Sequence, residues 1–186
     1  MGRKPKRSVE TALQPYERNR MAKPTTIYTI LDRTGSMHRI RQGMIDAWEA
    51  YVTEQRNIPG KTRWTMVQFD SPNGSPVIET VFEDVKGRDV PELGSPEAPF
   101  VPRGATPLWD AVGVTLTKVQ DTKGQVIVVV ITDGFENASR EWDSKQVRKL
   151  VEKLKAKNWQ FIFMGAEQNA WVTGRAMGFD TTVSVD

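Results

Sequence analysis

Thr26-Ile27-Tyr28-Thr29-Ile30-Leu31-Asp32-Arg33-Thr34-Gly35-Ser36-Met37 is the stretch that decides how the chain is read. Its first half is apolar and β-branched, the pattern of a buried strand. Its second half sets one carboxylate and two hydroxyls at alternate positions, Asp32, Thr34 and Ser36, with Gly35 allowing a tight turn between the hydroxyls. Hard oxygen donors of this kind suit Mg²⁺ or Mn²⁺. The C-terminal end of a parallel strand is also where open α/β sheets place their ligands.

Downstream of this strand, His38 to Arg56 carries Ile40, Met44, Trp48, Tyr51 and Val52 near helical spacing and reads as an amphipathic helix. Thr62 to Asp70 reads as a strand with Thr65, Val67 and Phe69 on one face and Trp64, Met66 and Gln68 on the other. The turn-forming run Ser71-Pro72-Asn73-Gly74-Ser75-Pro76 returns the chain into a strand from Val77 to Phe82. So short a connection demands an antiparallel pair at a sheet edge. Residues 83–105, rich in Pro, Gly and acids, read as a loop. Pro107 opens a helix to about Gln120. Gln125 to Thr132 is a strand buried on both faces. Ser144 caps a helix to about Lys157, Trp159 to Met164 is a strand, Gln168 to Met177 a helix closed by Gly178, and Thr181 to Val185 a last strand. The alternation predicts a doubly wound α/β fold. Its sheet is mostly parallel with one antiparallel edge strand, and helices cover both faces.

The chain has 186 residues, 38 % hydrophobic and 26 % charged, with no cysteine. Disulfides, thiolate catalysis and Cys-based zinc sites are thereby excluded. No run reaches the roughly 18 apolar residues of a membrane span, and no apolar leader opens the sequence, so the expected compartment is the cytoplasm. Residues 1–24 hold Arg3, Lys4, Lys6, Arg7, Arg18, Arg20 and Lys23 against Glu10 and Glu17. That segment carries +5 of the net +3 and leaves −2 on residues 25–186. It reads either as a tail disordered in the free protein or as an arm that docks on nucleic acid or an acidic partner. The globular domain is assigned to residues 25–186.

Three loops at strand C-termini hold oxygen ligands: Asp32 to Ser36, Arg103 to Asp110, and Ile131-Thr132-Asp133-Gly134. In this order they resemble the von Willebrand factor A family, whose metal-ion-dependent adhesion site has the form Asp-x-Ser-x-Ser, then Thr, then Asp. The resemblance maps that site onto Asp32, Thr34, Ser36, Thr106 and Asp133, with Thr34 where Ser is usual. Asp133-Gly134-Phe135-Glu136-Asn137-Ala138-Ser139-Arg140-Glu141 and Phe161 to Ala166 are most similar to small stand-alone bacterial and phage members. The family fold usually closes with a helix after the sixth strand, whereas this sequence stops at Asp186. One sheet face is therefore expected to be less covered, or covered by a partner.

The resemblance implies a non-enzymatic module that holds Mg²⁺ or Mn²⁺ and binds an acidic group of a protein partner through it. The compartment would be a bacterial cytoplasm or, for a phage protein, host cytoplasm or virion. Two rivals are a phage assembly protein with the fold as scaffold and the basic arm as anchor, and an adaptor of an AAA+ ATPase. Thr106 before Pro107 serves as N-cap and ligand at once, and Asp110 reads as a first-turn acid. Arg33 and Arg39 either draw an acidic partner or are ordinary solvated charge. Glu136, Asn137, Glu167 and Asn169 are expected on the rim, with Trp109 and Trp171 as partner-surface candidates. Trp48, Trp64 and Trp159 are assigned to the core. His38, the single histidine, is read as a surface residue, because no Gly-x-Ser-x-Gly elbow surrounds Ser36. An Asp-x-Asp phosphatase motif would need an acid where Thr34 stands.

Overall fold

The computed structural model describes residues 24–58, 60–133, 135–165, 168–179 and 181–184. The basic segment before Pro24 and Glu167 lie outside these residues, as do the side chains of Asn169 and Trp171. The elements are β1 (Thr25–Asp32), α1 (Arg41–Asn57), β2 (Thr62–Asp70), β3 (Val77–Lys86), α2 (Leu108–Val119), β4 (Val126–Thr132), α3 (Ser144–Lys155), β5 (Gln160–Gly165), α4 (Gln168–Ala176) and β6 (Thr181–Ser184). The strands form one sheet in the order β3-β2-β1-β4-β5-β6. All neighbours run parallel except β2 and β3, so β3 is the antiparallel edge.

Alternation along β1 and β4 splits the core into two layers. Tyr28, Ile30, Val126, Val128 and Val130 point to the side covered by α2 and α3, meeting Leu108, Val112, Leu116, Val147, Val151 and Leu154. Ile27, Leu31, Val129 and Ile131 point to the other side, against Met44, Trp48 and Val52 of α1 and Val90, Leu93 and Phe100 of the following loop. Trp48, Trp64 and Trp159 are buried. On the α1 side Ile127, Ile162 and Met164 are only half-buried, so this is the less covered face among the described residues.

Four boundaries differ from the sequence reading. Strand β3 runs on to Lys86 instead of stopping at Phe82. Irregular pairing around Trp64 and Met66 and a left-handed Asp84 (φ 53°) carry it past its apolar part. Exposed acids on an edge strand look like loop in sequence. The segment after β1 is a short 3-10 turn, Gly35–His38, and α1 starts only at Arg41. Asp143, not Ser144, caps α3, in a reciprocal capping box with Gln146. Thr106 does not cap α2, whose N-cap position is Pro107 and receives no side-chain cap.

Candidate metal centre

Strands β1 and β4 are paired in register up to Leu31 and Ile131, so the residues just beyond them emerge side by side. The 3-10 turn of Gly35–His38 folds Ser36 back over the strand end. Gly35 N donates to Gly104 O at 3.0 Å, which draws in the loop that carries Thr106. Gly104 itself must be glycine: it is left-handed (φ 68°), and a Cβ would lie 2.4 Å from the Ser71 carbonyl.

The side chains of Thr106, Thr34, Ser36 and Asp133 form one hydrogen-bonded row, and Asp32 joins it through the backbone N–H of Thr34. Thr106 Oγ1 donates to Thr34 Oγ1 at 3.2 Å, and Thr34 and Ser36 hydroxyls lie 3.3 Å apart. Ser36 Oγ donates to Asp133 Oδ1 at 2.7 Å. Asp32 Oδ1 accepts the Thr34 N–H at 2.6 Å, and its Oδ2 accepts the hydroxyl of Thr132 at 2.5 Å. Thr132 lies in the third loop read from the sequence but was given no role of its own; the one cue was its place as the first polar residue after Val126 to Ile131.

Asp32 is fully buried, with a relative exposure of 0 %. Burial is the main reason its carboxyl is pushed up to about 6. Hydrogen bonds from Thr132 and Thr34 pull the value down without offsetting burial, and the charge of Asp133 adds to the rise. No ion pair among the described residues reaches Asp32 or Asp133. Two acids without a counter-charge among the described residues, lined with three hydroxyls, form an all-oxygen donor set that fits a hard divalent cation. The described residues contain no group of three or more His, Cys, Asp or Glu that could hold a metal, so the hydroxyls are essential to this fit.

The expected rim is placed differently. Arg33 is turned inward, 6 % exposed. Its Nε donates to Asp70 at 3.1 Å, and its Nη1 donates to Glu79 at 2.7 Å and to Gln68 at 3.4 Å. Arg103 donates to the same buried Asp70 at 2.5 Å. Arg33 is therefore not a partner-facing charge: Asp70 and the Arg33–Arg103 pair tie the ends of β1 and β2 to the Thr106 loop. Arg39 and His38 are exposed. Trp109 is half-buried and packs on the α2 side of the core.

Glu136 is half-buried and Asn137 exposed, and both accept hydrogen bonds from the protein's own backbone. Asn137 Oδ1 accepts the Thr106 N–H at 2.8 Å, and Asn137 N donates to Thr106 O at 3.0 Å. Glu136 accepts the N–H of Trp109 at 2.9 Å, and Ser139 Oγ accepts that of Asp110 at 3.1 Å. These groups take up free N–H groups in the first turn of α2. Asp110 is buried and accepts the N–H groups of Arg140, Glu141 and Trp142 at 2.7, 3.0 and 2.8 Å. It stands in the first turn of α2, as the sequence reading placed it, and it also clamps that loop.

No protein-family model and no curated protein matches the chain. Solved structures do. A von Willebrand factor type A protein from Catenulispora acidiphila superposes with a TM-score of 0.60 at 13 % identity, over 89 % of this chain and 39 % of that one. The manganese-loaded TRAP protein of Plasmodium vivax gives 0.58 at 16 %, over 88 % of this chain and 68 % of that one. The pilus adhesin SpaC of Lactobacillus rhamnosus GG, in an open conformation, gives 0.61 at 12 %, over 89 % and 28 %. The chain thus spans well under half of the first and last of these proteins. Sheet order, the antiparallel edge and these superpositions together give this chain the fold of the von Willebrand factor A domains.

Proposed function

We propose that the chain is a non-enzymatic, divalent-metal-dependent protein-binding module of a bacterium or its phage. The observation that carries this reading is the row Thr106–Thr34–Ser36–Asp133, with Asp32 beneath it. Three loops from distant parts of the sequence deliver hard donors to one place at the C-terminal end of β1 and β4, the end where open α/β sheets generally take ligands. Mg²⁺ or Mn²⁺ would be held by Asp32, Thr34, Ser36, Thr106 and Asp133, and would supply a positive point to which a partner's carboxylate binds. One structurally similar protein is manganese-loaded, which supports the choice of ion. Exposed Phe135, two residues after Asp133, offers the partner an apolar contact beside the charge. His38 is exposed and shares no hydrogen bond with Ser36 in the described contacts, which supports binding over nucleophilic chemistry.

Mn²⁺ titration followed by electron paramagnetic resonance of the free ion tests the reading. The expected result is saturable binding, competed by Mg²⁺ and weakened about tenfold or more by Ser36→Ala. Water-proton relaxation of the Mn²⁺-loaded protein then reports open coordination positions. A glutamate-containing peptide that binds there should lower the enhancement. Absence of Mn²⁺ binding at millimolar concentration would rule the metal out and leave the assembly-scaffold reading as its replacement.

A further inference from the structure

At the opposite end of the sheet, where β1 and β2 begin and β3 ends, lies a groove of about 970 Å³. Its lining includes Arg56, Lys61, Arg63, Lys86 and Arg88 and a single acid, Asp84. Five cations at one end are notable in a domain whose residues 25–186 sum to −2. The charges are also largely unspent. Asp84 is occupied by Arg63, which reaches it through both Nε and Nη2. Arg56 donates to the carbonyls of Gly87 and Val90 at 3.0 and 3.1 Å, which fixes its guanidinium without neutralising it. Lys61 and Lys86 are exposed, and the Arg88 side chain is 76 % exposed and pairs, among the described residues, with the exposed Asp89 at 3.4 Å. Lys61, Lys86, Arg88 and Arg56 therefore present net positive charge to whatever fills the groove.

We infer that this groove binds the sugar-phosphate backbone of duplex nucleic acid, without reading its sequence. The remaining lining residues decide between polyanions. Apart from Pro24 they are Thr26, Gln55, Gly60 and Thr62 with the buried Gly87, and none is aliphatic or aromatic. An acidic peptide gains most of its affinity from apolar anchors, and the groove has no socket for them. Phosphate contacts need only cations, hydroxyls and amides. The lining also offers no exposed aromatic on which unpaired bases could stack, which favours a duplex over a single strand. Pro24 lines the groove and directly follows the segment with seven Lys and Arg, so in sequence the cations continue from the groove's edge. The inference is independent of the metal centre, which lies a strand length away, about 25 Å.

The test uses the full chain and a labelled duplex of about 20 base pairs, with fluorescence polarisation over a NaCl series from about 50 to 200 mM. Wild type should bind with a steep salt dependence. Lys61→Gln, Lys86→Gln and Arg88→Gln together should flatten the slope of log K against log salt by about 0.9 for each lost contact, and weaken binding about a hundredfold. These residues are exposed, so the variant should melt as wild type does; the single variants, each flattening the slope by about 0.9, give the same reading if it does not. A triple variant with an unchanged slope would overturn the inference. So would a polyglutamate peptide of equal charge that binds as tightly as the duplex. Ser36→Ala should leave duplex binding untouched.

Discussion

Asp32 shows what a charge costs when a protein buries it ahead of its counter-ion. Its carboxyl is fully buried and its value is raised to about 6, so at neutral pH the metal-free fold holds an ionised group that the unfolded chain would keep in water. The raised value means that this cost is absent below the ordinary carboxyl range and is felt in full above about 6. Asp32→Asn keeps an oxygen to accept the Thr34 N–H and removes the charge. In chelator at neutral pH the variant should be at least as stable as wild type, by on the order of 3 kcal/mol at most. With Mg²⁺ present the order should reverse, because only wild type gains the ion. Thermal melts of both proteins in EDTA and in Mg²⁺ check this; a variant that melts well below wild type in EDTA would show that the charge itself holds the metal-free fold. A plain truncation, Asp32→Ala, is less informative, since it also removes the carboxylate oxygen that accepts the Thr34 N–H.

At the scale of elements, the strands and the convergence of Asp32, Thr34 and Ser36 at a strand end were legible, and the clamps between loops were not. Val126 to Ile131 announces a strand covered on both sides because only such a strand tolerates an unbroken apolar run. Asp32, Thr34 and Ser36 announce a strand-end cluster because their alternation has no use inside a core. Glu136, Asn137 and Asp110 gave no such signal. Each accepts backbone N–H groups across 27 to 32 residues of sequence, and a long-range acceptor looks like any polar loop residue. Arg33 misled for a related reason: a charge beside a site reads as surface until its buried partner Asp70 is seen. The clamps can be tested. Asn137→Ala removes the acceptor for Thr106 N, a part-buried donor, at a cost of about 1–3 kcal/mol. Because Asn137 reaches Thr106 and no other residue of the row, Mn²⁺ affinity should fall about tenfold, and Asn137→Asp, which keeps the oxygen, should restore most of it. Equal loss in both variants would mean that the oxygen is not what positions Thr106. A packing prediction belongs here too. Gly113 in α2 lies under Trp142, and a Cβ there would fall 2.1 Å from the indole. Gly113→Ala should lower stability by about 1–3 kcal/mol despite alanine's better helix propensity, as denaturant unfolding will show.

For the molecule as a whole, one sheet separates two ends of opposite character. Among the described residues, acids and hydroxyls gather where β1 and β4 finish, and cations outnumber acids where β1 and β2 begin. The strands between them are packed on both faces, so neither end can shift without disturbing the core. This arrangement predicts that the ends act additively. An ion that binds only the folded chain, at about a hundred times its dissociation constant, adds about 2.7 kcal/mol, which for a domain of this size raises the melting temperature by about 5–10 °C. NaCl at matched ionic strength should not reproduce the rise, because a coordinated ion is not screening. Ser36→Ala and Thr106→Ala should each abolish most of it. The Lys61, Lys86 and Arg88 triple variant should keep all of it, within about 0.5 kcal/mol, since sites this far apart with no shared partner do not couple. Melts of the four proteins in EDTA, Mg²⁺ and NaCl check the set. A triple variant that lost the Mg²⁺ shift would mean that the sheet transmits between its ends, and the two sites would then have to be treated as one coupled system.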